Sequence, residues 1–159
     1  MKKLIQVTGF SIIILMIASI PAKAQMSAGA GLAFGSEIEQ VGIQADLHFR
    51  LAAVPAIKLG AGFIYYFPKD NRDFYEVNLN GAYIFYEEFM FKSYAYTGLN
   101  YARSKIGTGD ASVTENAFGL NAGIGAEYDF GPILAFGDLK YVVSKFDQPV
   151  FSIGIRVPF

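Results

Sequence analysis

From residue 25 onward, apolar side chains recur at every second position. A period of two is the spacing of a strand with one oily face, not of a helix. The clearest stretch runs from Val41 to Leu51. Val41, Ile43, Ala45, Leu47, Phe49 and Leu51 share one face, and Gly42, Gln44, Asp46, His48 and Arg50 share the other. Successive side chains of a strand point to opposite sides, so this segment is amphipathic only as a strand. The same reading gives eight segments: Met26–Phe34, Val41–Leu51, Ile57–Phe67, Phe74–Phe85, Phe91–Arg103, Ala117–Phe130, Ile133–Ser144 and Phe151–Phe159. Most are close to the roughly 9 to 11 residues that a tilted strand needs to cross a bilayer. Three connections are short turns: Leu51 to Ile57, Phe85 to Phe91, and Phe130 to Ile133 through Gly131-Pro132. The other four are more polar, the longest running from Ser104 to Asn116. No second domain, linker or repeat is visible.

Soluble barrels also alternate, so the direction of each face has to be decided. The chain is 53% hydrophobic. Yet beyond its first two dozen residues no apolar run approaches the roughly 18 to 20 of a membrane helix. One face reads Ile57, Leu59, Ala61, Phe63, Tyr65, Phe67 in the third segment. In the sixth it reads Phe118, Leu120, Ala122, Ile124, Ala126, Tyr128, Phe130. This face is expected to be free of charge throughout. The opposite face holds Asp46, Arg50, Lys58, Glu76, Lys92, Glu127, Asp129, Asp138, Lys140 and Arg156, with His48 beside them, and ten of the seventeen glycines. Charges cannot face hydrocarbon, where an unpaired ion is expensive. Nor can a narrow eight-stranded interior hold all the Phe and Tyr of the apolar face. Aromatics also sort toward the segment ends. Tyr65, Phe67, Tyr75, Tyr101 and Phe118 lie at one level, and Phe49, Phe85, Phe91, Tyr128 and Phe159 at the other, with Ala45, Ala61, Leu79 and Leu139 between. Two aromatic girdles around an aliphatic waist match the two headgroup levels of a bilayer. The expected fold is therefore all-β: an eight-stranded antiparallel up-and-down transmembrane β-barrel over residues 25–159. Short turns on one side and longer loops on the other would put both termini on the periplasmic side.

The N-terminus reads as a signal peptide over residues 1–24. Lys2 and Lys3 precede the apolar run Phe10–Ile20; Pro21 ends it, and Ala22-Lys23-Ala24 is an A-x-A cleavage site before Gln25. Cleavage removes Lys2, Lys3 and Lys23 and moves the net charge from −1 to −4. No basic excess then points to a nucleic-acid partner. There is no cysteine, hence no thiol nucleophile and no acylated anchor, and a single histidine rules out a His-rich metal site.

The signal peptide, the alternating strands and the last segment Phe151-Ser-Ile-Gly-Ile-Arg-Val-Pro-Phe159 resemble the small outer-membrane β-barrel proteins related to OmpA and OmpX. The resemblance covers the whole mature chain. Its most specific motif is terminal Phe159 preceded at alternate positions by Phe151, Ile153, Ile155 and Val157. In that family this is the signal read by the barrel-assembly machinery, so the resemblance implies that machinery and periplasmic chaperones as partners during biogenesis, and the bacterial outer membrane as destination. The peptidoglycan-binding domain that some relatives append is not in this sequence.

Asp46, His48 and Arg50 share one strand face, which raises a catalytic His–Asp pair of the lipid A-modifying kind. A structural ion network filling the lumen explains the same residues more simply, and no serine is placed by local sequence as a nucleophile. Asp70, Asn71, Arg72, Asp73, Asp110 and Glu115 do not have the spacing of a calcium loop. The expectation is a non-enzymatic, monomeric integral barrel in outer-membrane lipid. Its polar lumen is plugged by five acids and five bases in a connected network, and it takes neither cofactor nor metal. The alternatives are a narrow pore or transporter of small solutes, and a lipid A-modifying enzyme.

Overall fold

The computed structural model describes residues 26–107 and 112–159. The signal peptide, with Ala22, Ala24 and Gln25, lies outside the described residues, as does Asp110. Eight strands follow one another: β1 Met26–Gly35, β2 Gln40–Arg50, β3 Ile57–Lys69, β4 Arg72–Glu88, β5 Phe91–Ile106, β6 Val113–Asp129, β7 Leu134–Val143 and β8 Gln148–Pro158. Each pairs antiparallel with the next, and β1 closes on β8. The first and last described residues meet at this seam, where Phe159 N donates to Met26 O at 2.9 Å and Met26 N donates to Phe159 O at 3.3 Å. Closure leaves the barrel without an open sheet edge along its waist, as a strand-built structure in lipid requires.

The alternation resolves into inside and outside. Leu32, Ile43, Leu47, Leu79, Leu99, Ile124 and Ile153 are all exposed on the outer surface. Asp46, Lys58, Glu76, Glu127, Lys140 and Arg156 are buried within the barrel. Such a surface would be untenable in water and is ordinary in lipid. Aromatic rings meet across strands near one end, Phe63 with Tyr75 at 5.8 Å and Tyr101 with Phe118 at 5.0 Å, and along the chain where β6 ends at the other, Tyr128 with Phe130 at 4.8 Å.

Three expectations need correction. The Ser104–Asn116 connection is largely strand, because Ser104 pairs with Glu115, Lys105 with Thr114 and Ile106 with Val113. Strands β4 and β6 run 17 residues and β5 runs 16. All three exceed what a bilayer needs and continue beyond it as a water-exposed ribbon. Beyond buried Ser104, polar composition there reflects solvent rather than loss of pairing. The supposed contrast between short turns and long loops shrinks accordingly. Residues 36–39, 70–71, 107–112 and 144–147 connect strands at one end, and 51–56, 89–90 and 130–133 at the other. The Asp70-Asn71 pair is a two-residue hairpin turn, with φ of 54° and 57° as a type I′ turn demands. Finally, the outward face is not wholly free of charge. Arg103 stands on it two residues beyond Tyr101, in register with Tyr75 and Asn116. That places it at the aromatic girdle, where its exposed side chain can reach the headgroup level.

Candidate functional site

The interior is layered along the barrel axis. At the end that carries the chain termini, Arg50 meets Glu87 through two hydrogen bonds of 3.0 and 2.5 Å, and Lys92 stands 3.5 Å from the same carboxylate. Arg50 Nε also donates to the Pro55 carbonyl, tying the β2–β3 turn to this layer.

The next layer is built around Arg156 of β8, which is 1% exposed. Its Nε and Nη2 donate to the two oxygens of Asp46 at 3.0 and 3.2 Å. Nη1 donates to Glu127 at 2.7 Å and to Tyr94 Oη at 3.1 Å, and Nη2 also donates to Asp138 at 3.1 Å. The guanidinium lies 3.7 Å from the centre of the Phe136 ring. Lys58 adds a second cation, 2.8 Å from Glu127 and 3.7 Å from the Tyr94 ring centre. A planar fork with five donors makes five hydrogen bonds here, where a lysine has only three donors.

A third layer centres on Glu76, which accepts from Lys140 at 2.6 Å, Asn100 at 3.1 Å, Gln148 at 2.8 Å and Tyr66 at 3.3 Å. Asn78 accepts from Lys140, Asn100 and Asn121, and Asn80 accepts from Asn121. Asp46, Lys58, Glu127, Asp138 and Arg156 thus form one cluster, Glu76 and Lys140 a second, and Arg50 and Lys92 a third around Glu87. Asp129 joins none of them: its Oδ1 accepts from the Gly131 backbone at 2.7 Å and holds that residue at φ 93°. The single connected network of ten charges is therefore three separate clusters, and Asp129 is a turn residue.

His48 packs over Gly60, opposite it in register. Its buried Nδ1 has no hydrogen-bond partner, while Asp46 is engaged by Arg156 and Gln44. Asp46 therefore does not orient His48 as a catalytic pair would require. Among the described residues, no group of three or more His, Cys, Asp or Glu is placed to hold a metal ion.

Glycine makes this interior possible. Across the strand pairs, Tyr94 faces Gly125, Tyr96 faces Gly123, Phe136 faces Gly154, and Asp46 lies between Gly29 and Gly62. A Cβ on Gly123 would come within 2.6 Å of the Tyr96 ring. Each of these four inward side chains lies over a neighbour that has none.

On the outside of β8, Phe151, Ile153, Ile155 and Val157 form an exposed apolar row, with Phe159 at its end. This barrel superposes on solved transmembrane β-barrels. It matches the N-terminal β-barrel domain of Pseudomonas aeruginosa OprF with a TM-score of 0.70 at 13% identity, over 86% of this chain and 97% of that one. The fold is that of the small bacterial outer-membrane β-barrels. Ail, the attachment invasion locus protein of Yersinia pestis, is another, at TM-score 0.64 and 14% identity over 86% and 97% of the two chains. Neisserial surface protein A is a third, at 0.57 and 20% over 86% and 96%. No protein-family model matches the chain, and no curated protein matches its sequence. In outer-membrane barrels generally, the short turns are periplasmic and the longer loops face outward.

Proposed function

We propose that this chain, an outer-membrane barrel by its fold, is a non-enzymatic envelope protein with a sealed lumen. It would contribute membrane structure and present its outer ribbon and loops for surface contact. The observation that carries the reading is Arg156, buried at the waist and bonded to Asp46, Glu127, Asp138 and Tyr94, side chains of β2, β5, β6 and β7. One side chain ties five strands together and narrows the space a pore would need. Eight strands leave an interior just wide enough for side chains to fill. The lack of a His48–Asp46 hydrogen bond disfavours the enzymatic alternative. Export by a signal peptide cleaved before Gln25, and insertion guided by the β8 row ending in Phe159, belong to the same proposal.

Planar-bilayer recording tests it. The purified protein is expected to show no steady open-channel conductance. A large, stable conductance would overturn the sealed barrel in favour of a pore.

A further inference from the structure

The two mouths of the lumen differ in kind. At the periplasmic end a vestibule of about 390 Å3 opens between Ser27, Arg50, Lys92, Leu134 and Phe159. Its inner wall is His48 and Lys58, which also line a cavity of about 60 Å3 reaching up to Asn78, Lys140 and Ser152. This cavity is polar and large enough for water, which needs roughly 10 to 15 Å3. Buried acceptors around the same layers, Asn100 Oδ1, Asn121 Oδ1 and Gln148 Oε1, have no protein partner. Acceptors of that kind are met by water.

Above the Glu76 layer the chemistry changes. Tyr66, Phe74, Val142 and Val150 are at most 1% exposed and pack together with Ala33, Ile64 and Ala102. Two connections fold inward to complete this cap: Ile38 from residues 36–39 and Phe146 from residues 144–147. The Phe74 and Phe146 rings meet edge to face at 5.5 Å, and those of Phe74 and Tyr66 at 5.4 Å. Both inward-folding connections are fastened. The Phe146 turn is held by Ser144 N donating to Asp147 at 2.5 Å and Phe146 N donating to Ser144 Oγ at 2.9 Å. Gln40, beside the first connection, donates to the Arg72 carbonyl at 3.2 Å, and Lys69 pairs with Glu39 at 3.0 Å.

We propose that the lumen is a well open only to the periplasm, and that its barrier is the apolar cap of Tyr66, Phe74, Phe146, Val142 and Val150 rather than the ion pairs. Water and small cations enter from the vestibule as far as the Glu76–Lys140 layer. They stop where the side chains of Tyr66, Phe74, Phe146, Val142 and Val150 fill the lumen, since an apolar constriction blocks by excluding water. Charged layers beside a wet cavity slow ions but do not exclude them. This inference rests on the sealed-barrel reading and locates the seal within it.

The chain has no cysteine, so a single introduced thiol reports one place. Ser152→Cys puts it in the cavity wall. In proteoliposomes, with orientation read by trypsin cutting of the outer connections, Ag+ is added to one side. Ag+ bonds the sulfur with release of the thiol proton, and the unreacted thiol is counted with a fluorescent maleimide after denaturation. Reaction from the periplasmic side is expected to be at least ~10-fold faster than from the outer side, because only one path is wetted. Phe74→Ala, or the near-isosteric Val142→Thr with Val150→Thr that wets the cap without emptying it, should bring the two rates together. The neutral pair Glu76→Gln with Lys140→Gln should leave the asymmetry in place. Folding of each variant is checked by its strand circular dichroism. Equal rates from both sides in the Ser152→Cys protein would overturn the inference. So would an asymmetry lost with the neutral pair but kept by both cap variants. If those results came from a protein silent in planar bilayers, the sealed barrel would stand and only the place of the seal would be wrong.

Discussion

Replacing Arg156 by alanine should be the most damaging single change in the lumen. The side chain is 1% exposed and makes five hydrogen bonds to four residues. After truncation, Glu127 keeps Lys58, but Asp46 retains only Gln44 and Asp138 only Tyr94 among their hydrogen-bond partners. Two carboxylates are then left without a cation. Breaking a buried pair by removing one partner costs roughly 3 to 5 kcal/mol. Loss of the stacking over Phe136 adds to this, and water reaching Asp46 from the cavity offsets part of it. A net loss of about 3 to 5 kcal/mol is expected. Urea unfolding of the refolded barrel in lipid vesicles, followed by tyrosine fluorescence, measures it. Arg156→Lys keeps a charge but cannot fork, and should fall between alanine and wild type. The decisive comparison is a cycle. Adding Asp46→Asn and Asp138→Asn to Arg156→Ala removes the stranded charges and should recover part of the loss. If Arg156→Ala alone cost under about 1 kcal/mol, or if the asparagines made it worse, the argument from stranded charge would fail.

Leu79→Arg should destabilise by about 2 to 4 kcal/mol, because Leu79 faces outward at mid-strand, while Asn80→Arg, facing the cavity, should cost less; equal costs in the same unfolding assay would mean the faces are misassigned. Gly123→Ala should cost about 1 to 3 kcal/mol, since its Cβ would press on Tyr96 and the Leu139 carbonyl. Gly137→Ala, with nothing within 4 Å of the added Cβ, should be neutral or slightly stabilising in the same measurement. Deleting Phe159 should reduce membrane insertion and leave protein in the periplasm, as judged by fractionation; unchanged insertion would show that the terminal aromatic is not read. Intact mass of the membrane-purified chain should begin at Gln25, and a species retaining Met1 to Ala24 would count against the cleavage site.

Most of the fold was legible because a membrane barrel writes its two faces into alternate residues. Val41 to Leu51 declared a strand, and the parity of Asp46, Lys58, Glu76, Glu127, Asp138, Lys140 and Arg156 placed each of them inside. The pairing among them was not legible. Asp46 and Arg156 meet because β1 lies between them with Gly29 opposite both, and that register depends on how the barrel closes. Counting charges alone also passed over Asn78, Asn100, Asn121 and Gln148, which have the same inward parity and hold Glu76 or Lys140, directly or through Asn78. The apolar cap was hidden for a different reason. Its residues Ile64, Tyr66, Phe74, Val142 and Val150 lie on the face read as polar, and only depth along the strand separates them from the ions.

Glu87 shows how a local irregularity defeats parity. Counting by twos from Glu76 sends Glu87 outward, toward lipid. The pairing of β4 with β5 slips between Ile84 and Tyr86, so that Ile84 faces Tyr94 while Tyr86 faces Ser93. A bulge adds one unpaired residue and reverses every side chain beyond it. Phe85 and Tyr86, adjacent in sequence, are consequently both exposed, and Tyr86 meets the ring of Phe91 at 6.1 Å. The same reversal turns Glu87 inward between Arg50 and Lys92. Without it Glu87 would face lipid, and Arg50 and Lys92 would lose the carboxylate they share. The bulge thus does two things with one inserted residue: it widens the aromatic girdle and neutralises the entrance to the lumen.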